Sequence, residues 1–339
     1  MIKTEVSGEK GRVYTITNKQ QVSLTVANFG ARIMSIQVPV MGASRELVVG
    51  FANLKDYQKT PYFGATIGRT AGRIEGGKFT IAGQTFDIDK NEQNNTLHGG
   101  ANSLESKYWK GTVKTENSVI FTFLSPDGEN GYPGNLHLEV SYTLTDENQL
   151  IIDYHALADK DTLFNPTNHV YFNLTGSAEE TIESHYLEIK SDRYLELNPD
   201  NTASGTVHLV KGTVFDFNTL KEIKEVVQSD DAQIALNQGL NHPFLLIGKQ
   251  ESFEPNALLV SPDKKVSIEM KTSQNSVIVY TTGNAEAGLL TQTGSLAYHG
   301  AIALEAQMPP GSEVFSFQSN IWLRKAQPYN AWTSYKILS

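Results

Sequence analysis

The sequence contains no cysteine. That excludes disulfides, cysteine-ligated zinc, iron–sulfur clusters and a thiol nucleophile. Basic residues are in deficit: 28 Lys and Arg against 37 Asp and Glu give a net charge of −9 over 339 residues. A surface built for nucleic acid or an anionic membrane needs the opposite balance. No apolar run approaches the ~18 residues of a membrane span. The opening stretch MIKTEVSGEKGRVYTI lacks the charged-then-apolar pattern of a secretory signal. Also missing are G-x-G-x-x-G, a Walker loop, alternating β/α units and a G-x-S-x-G nucleophile elbow. Eight histidines are present, at 98, 137, 155, 169, 185, 208, 242 and 299, and none falls in H-E-x-x-H or another tight ligand spacing. A dispersed zinc site stays open, but no spacing asks for one. The expectation is a soluble cytoplasmic protein without cofactor, metal, nucleic-acid or membrane partner. No linker, repeat or low-complexity tract interrupts the chain, so residues 1–339 read as one domain.

What the chain does have is 39% hydrophobic residues, enough for a sizeable core, arranged mostly in alternation. Val13–Thr17 and Val22–Val26 read as strands about a turn at 18–21. Lys78–Ile81 and Phe86–Ile88 flank Ala82-Gly83-Gln84 as a hairpin. Val119–Leu124, Leu136–Leu144, Leu150–His155, Val266–Met270 and Val277–Tyr280 continue the pattern. Turn signals recur every ~8–12 residues, as in a sandwich or barrel. Helical signals are few: one short turn at 53–57, and one modest helix within Thr219–Leu236, where Leu220, Ile223 and Val227 share a face. We read an all-β fold, a large antiparallel β-sandwich with few short helices.

Several segments set titratable side chains in apolar or glycine-rich surroundings. In Leu97-His98-Gly99-Gly100 the glycines let backbone approach a ligand beside an imidazole; an exposed turn histidine is the plainer alternative. Read as a strand, Phe164–Leu174 puts His169, Tyr171 and Asn173 on one face and Val170, Phe172 and Leu174 on the other. The polar face lines a cleft or simply meets solvent. In His299–Gly311, Ala301, Ala303, Glu305 and Gln307 oppose Ile302, Leu304, Ala306 and Met308. A carboxylate among small residues suits a general base, since partial desolvation raises its pKa; a solvated outer-face glutamate is the alternative. Arg69 and Arg73, beside glycines, suggest a held guanidinium pair. Gly239-Leu240-Asn241-His242-Pro243-Phe244 sets a polar pair before an apolar run.

Taken in order, these segments resemble the aldose 1-epimerase (galactose mutarotase) family. Gly68…Ala71-Gly72-Arg73-Ile74, Leu97-His98-Gly99-Gly100, Asn165-Pro166-Thr167-Asn168-His169-Val170-Tyr171-Phe172-Asn173-Leu174, Gly239–Phe244 and Leu304-Glu305-Ala306-Gln307 carry the likeness. Asn28-Phe29-Gly30-Ala31-Arg32-Ile33 and Asn130-Gly131-Tyr132-Pro133-Gly134 add to it. It spans essentially the whole chain. The resemblance implies a galactose-mutarotase-type sandwich interconverting the α and β anomers of free aldoses. Galactose, glucose or a reducing disaccharide such as maltose would be the substrate, with no cofactor or metal, and the chain would be a monomer or homodimer. It implies Glu305 as base and His169 as acid, with Arg73, His98 and Asn241 on sugar hydroxyls and Tyr280 as an aromatic wall. Tyr171 joins the substrate-binding set as His169's neighbour on one strand face. Two positions depart from the family: Asn241 stands where aspartate is usual, and Gly72 where many members have asparagine. An amide replaces a charge-assisted bond with a neutral one about half as strong. Two other readings share the resemblance: a non-catalytic sugar-binding module, and a hexose-6-phosphate 1-epimerase needing Arg69 and Arg73 on the phosphate.

Overall fold

Alternating sequence becomes sheet wherever one face can be covered. The computed structural model describes residues 1–247, 254–317 and 320–339, and three antiparallel sheets carry most of the strand residues among them. The first is a meander of Ile2–Ser7, Gly11–Thr17, Ser23–Ala27, Arg32–Val40 and Ala43–Glu46. The second has nine strands in the order Lys110–Thr115, Ser118–Ser125, Leu136–Leu144, Gln149–Ala158, Tyr329–Leu338, Ser267–Thr272, Ala257–Val260, Tyr186–Ile189 and Lys221–Glu222. The third has six: Tyr171–Phe172, Ile302–Gln307, Ser276–Thr281, Asn241–Leu246, Ser191–Leu197 and Ala203–Leu209.

One buried cluster joins the three sheets. Ile16, Leu24 and Ile36 come from the first, Val140, Ile152, Ile268 and Tyr335 from the second, and Phe172, Val277, Val279 and Leu304 from the third. The second and third sheets face each other. Tyr335 of one meets Phe172 of the other edge-on at 5.4 Å and donates its hydroxyl to Leu304 O at 3.1 Å. Each buried Val, Leu or Ile contributes roughly 1.5–3 kcal/mol, so Leu304→Ala would cost ~2–5 kcal/mol with its cavity. The all-β sandwich expected from the alternation is what forms.

Two local expectations differ. Thr219–Leu236 is not one helix but two short ones, Lys224–Val227 and Ala232–Asn237. The Asp231 carboxylate accepts from Gln233 N and Ile234 N, so it caps a new helix instead of continuing the old one. Phe164–Leu174 is not one continuous strand. Thr167–Asn168 pairs with Thr66–Ile67, whereas Tyr171–Phe172 pairs with Ile302–Gln307. The segment changes partner between them, at His169 and Val170.

Candidate active site

Strand register builds a trough on the third sheet. Tyr171 pairs with Ala303, Ala303 with Tyr280, and Tyr280 with Asn241, so the four lie in one row across the strands. Directly opposed side chains in a sheet sit ~4.5–5.5 Å apart. A methyl group between two tyrosines therefore leaves a groove with aromatic walls. Glu305 lies one row along, opposite Ile278, and Gln307 follows on the same face. The other face of this strand, Ile302, Leu304 and Ala306, is in the main core. Period-2 alternation thus delivers Glu305 to the groove and anchors it from behind.

The polar residues around His169 fasten it to that strand. Asn165 donates Nδ2–H to Met308 O at 3.0 Å and accepts Met308 N–H at 2.9 Å. Thr167 donates its hydroxyl to Ala306 O at 2.9 Å. Asn168 donates to Gly64 O at 2.9 Å and Tyr142 Oη at 3.1 Å. These bonds fix the register of His169 against Glu305, and His169 Nε2 comes to 3.4 Å from Glu305 Oε1.

The strand Arg73–Ile74 brings in the remaining groups. It pairs with Thr96–Leu97, and His98 follows directly. His98 sits at φ +53, a left-handed backbone that costs about 1 kcal/mol or more for a side-chain-bearing residue. Two bonds hold it: His98 N–H donates to Gly72 O at 3.0 Å, and Gly72 N–H donates to His98 Nδ1 at 3.2 Å. Gly99 is required there. At φ +85 a Cβ would lie 2.3 Å from Gly68 O. Arg73 donates Nε–H and Nη2–H to the two oxygens of Glu92 at 2.5 and 2.7 Å.

The result is a cleft of about 270 Å³. Tyr62, Arg73, His98, His169, Tyr280 and Glu305 are among its lining residues. His98, His169 and Glu305 are 7%, 4% and 4% exposed. The exposed-turn and outer-face alternatives therefore fail for all three. Burial drives the electrostatics. It pushes the Glu305 carboxyl up to about 8, against a smaller opposing pull from Arg73. It pushes the His169 imidazole down to about 4. Both groups are thus driven toward their neutral forms. The rings support one another: His169 stacks on Tyr171 at 4.7 Å, and Tyr62 meets His98 edge-on at 4.8 Å. The Tyr280 hydroxyl donates to Glu286 Oε1 at 2.7 Å, which orients its ring as a wall.

Known proteins resemble this chain over nearly its whole length. The aldose 1-epimerase family profile matches residues 12–336. The aldose 1-epimerase of Escherichia coli K12 is 32% identical over 337 residues, covering 98% of this chain and 96% of its own. The galactose mutarotase of Mus musculus is 36% identical over 320 residues, covering 93% and 91%. Among solved structures, a galactose 1-epimerase from Lactobacillus acidophilus superposes with a TM-score of 0.86 at 30% identity, covering 99% of each chain. An aldose epimerase homologue from C. elegans gives 0.88 at 26%, again over 99% of each.

The chain belongs to the aldose 1-epimerase family. It is an isomerase that interconverts the anomers of aldoses.

Within this epimerase, the seven residues singled out from sequence all border one cleft: Arg73, His98, His169, Tyr171, Asn241, Tyr280 and Glu305. The expected pairing of Arg69 with Arg73 does not occur. Arg69 is 2% exposed and spends its N–H groups on Ser125 Oγ and the carbonyls of Ser125, Pro126, Pro133 and Gly134. It staples loops beneath the site. Asn173 is likewise structural, donating to Glu180 O and Gly300 O. Sequence reasoning missed Tyr62, Glu92 and Glu286, which also line the cleft. The two glutamates sit in loops with no periodicity, and the partner of Glu92 is 19 residues away.

His98, His169 and Glu305 hold three potential metal-ligand atoms within 4.8 Å of one another. The hydrogen bonding at His98 argues for another use. Its Nδ1 lone pair receives Gly72 N–H, so the ring proton resides on Nε2. That imidazole is a donor, suited to a hydroxyl oxygen. Binding a cation would require moving the proton and giving up the Gly72 bond.

Proposed function

We propose that the chain converts α- and β-anomers of free aldohexoses such as galactose and glucose by acid/base ring opening, with Glu305 as base and His169 as acid. One observation carries the reading: Glu305 Oε1 and His169 Nε2 face each other at 3.4 Å, both buried, in a cleft of about 270 Å³. That volume is of the size that takes one pyranose. The names of the relatives point to the same class of sugar.

The chemistry closes on itself. Glu305 as carboxylate takes the proton of the anomeric hydroxyl. The C1–O1 bond becomes a carbonyl as the bond from C1 to the ring oxygen breaks, and His169 delivers its proton to that oxygen. The open aldehyde rotates about C1–C2. Closure on the other carbonyl face returns both protons to where they began. The pair holds one proton throughout. In the ring form the proton is on His169 beside an ionised Glu305. In the open form Glu305 is protonated and His169 neutral. Burial favours that neutral pair, so the site is electrically matched to the open chain and lowers the cost of reaching it. Arg73, His98 and Asn241 supply hydroxyl contacts, and the rings of Tyr171 and Tyr280 face the sugar. We treat residues 1–339 as one domain, because the main core draws on all three large sheets.

A hexose-6-phosphate reading loses its support. Arg69 is committed to carbonyls, and Arg73 is ion-paired with Glu92. The test is polarimetry of freshly dissolved α-galactose, α-glucose and α-maltose with and without the protein. Faster relaxation of the monosaccharides is expected. No acceleration with any of the three would refute the proposal.

A further inference from the structure

Burial dominates the electrostatics of the acid/base pair, and one ion pair stands at its edge. Facing Glu305 are Arg73 from strand Arg73–Ile74, His98 after strand Thr96–Leu97, His169 and Tyr171 from the segment running to Phe172, and Tyr280 and Glu286 from the strand Ser276–Thr281 and the loop after it. Tyr335 approaches from the opposite sheet. Among the described residues, Arg73 is the cation that acts on Glu305. Its guanidinium is gripped side-on by Glu92, with Nε–H and Nη2–H each donating to one carboxylate oxygen. Such a two-point bond fixes a planar guanidinium in orientation as well as position. The Nη1 edge is left for the cleft. Glu92 is itself held in place by backbone bonds with Asn95: Glu92 N–H to Asn95 O at 3.2 Å and Asn95 N–H to Glu92 O at 2.9 Å. That loop leads directly into His98.

We propose that Glu92 is a positioning residue of the epimerase, aiming the free edge of Arg73 at the sugar and damping the pull of Arg73 on Glu305. The inference rests on the acid/base reading above. Its physical content is a balance. An uncompensated guanidinium this close would stabilise ionised Glu305 and pull its proton affinity down, typically by one pH unit or more. With Glu92 in place, Arg73 binds hydroxyls while the pair keeps its proton up to mildly alkaline pH.

The experiment compares pH–rate profiles of the wild type, Glu92→Gln and Glu75→Gln by polarimetry, with KM and kcat separated at each pH. Glu75 is an exposed carboxylate close to Arg73 in sequence but outside the ion pair, so its variant controls for the loss of one surface charge. For Glu92→Gln we expect the alkaline limb to move down by about one pH unit. We also expect KM to rise about tenfold with kcat at its own optimum close to wild type, as for loss of one charge-assisted contact. Glu75→Gln should leave limb and KM in place. A limb that stays or moves up in Glu92→Gln overturns the inference, as does an equal shift in Glu75→Gln. A fall in kcat and melting temperature with an unmoved limb would mark a merely structural role and also overturns it. The acid/base reading fails separately, by absence of catalysis in the wild type.

Discussion

Glu305→Gln tests the electrostatic reasoning on two independent axes. The amide keeps the shape and removes the base, so activity should fall ~10²–10⁴-fold. The same change should stabilise the fold at high pH. Burial lifts the Glu305 carboxyl from 4.5 to about 8, so the folded chain binds this proton more tightly than the unfolded chain does. Stability from that proton is full below the unfolded value and is lost as pH rises through the folded one. Above about pH 8 the wild type holds a buried charge with little compensation, whereas glutamine has nothing to ionise. The gap between 4.5 and about 8 corresponds to at most about 5 kcal/mol. The cleft admits water, which screens part of it, and on the order of 2–3 kcal/mol should remain. In a chain of this size that is a rise of several degrees in melting temperature.

The assay is thermal denaturation of both proteins at pH 6 and pH 9, beside polarimetry. The variant's advantage should be about two-fifths of its full size at pH 6 and complete at pH 9. An advantage that is constant or shrinks with pH would refute the assignment of a desolvated carboxyl to position 305. Wild-type-like activity in the variant would refute its role as base even if the stability effect held.

Three further outcomes follow from the same geometry. The rate should form a bell with limbs near pH 4 and pH 8: below the lower limb both groups carry protons and no base remains, and above the upper one neither does; a rate still climbing at pH 10 contradicts the shared-proton scheme. Asn241→Asp should tighten binding of the preferred hexose ~5–10-fold by making a neutral hydroxyl contact charge-assisted, measured by calorimetry in the Glu305→Gln background; weaker binding would show that Asn241 donates to the sugar. Arg69→Met should cost on the order of 3–5 kcal/mol by leaving buried carbonyls unpaired, seen in denaturant titration with an unchanged KM; a shifted KM with normal stability would return Arg69 to the binding site.

Where sequence was informative, the reason is local. Glu305 and His169 are legible because each sits in a short extended stretch whose alternation decides which side chain meets the core, as Ile302, Leu304 and Ala306 do opposite Glu305. The two arginines show the limit. Their spacing suggests a shared face, yet the chain turns through Gly72 at φ +78 and sends Arg69 under the loops and Arg73 into the cleft. Nothing in the intervening residues reports which guanidinium finds a carboxylate and which finds only carbonyls. That depends on Glu92 and Pro133, both far along the chain. The same holds for Phe164–Leu174: its alternation is real, but Asn165 and Thr167 hydrogen-bond to the strand bearing Glu305 and break the ladder at His169. A side chain that must aim at a substrate is set by bonds across the fold, so the residues that do chemistry can be read before the residues that aim them. Tyr62, Glu92 and Glu286 belong to the second kind, tied to the first by ring contacts or by a carboxylate.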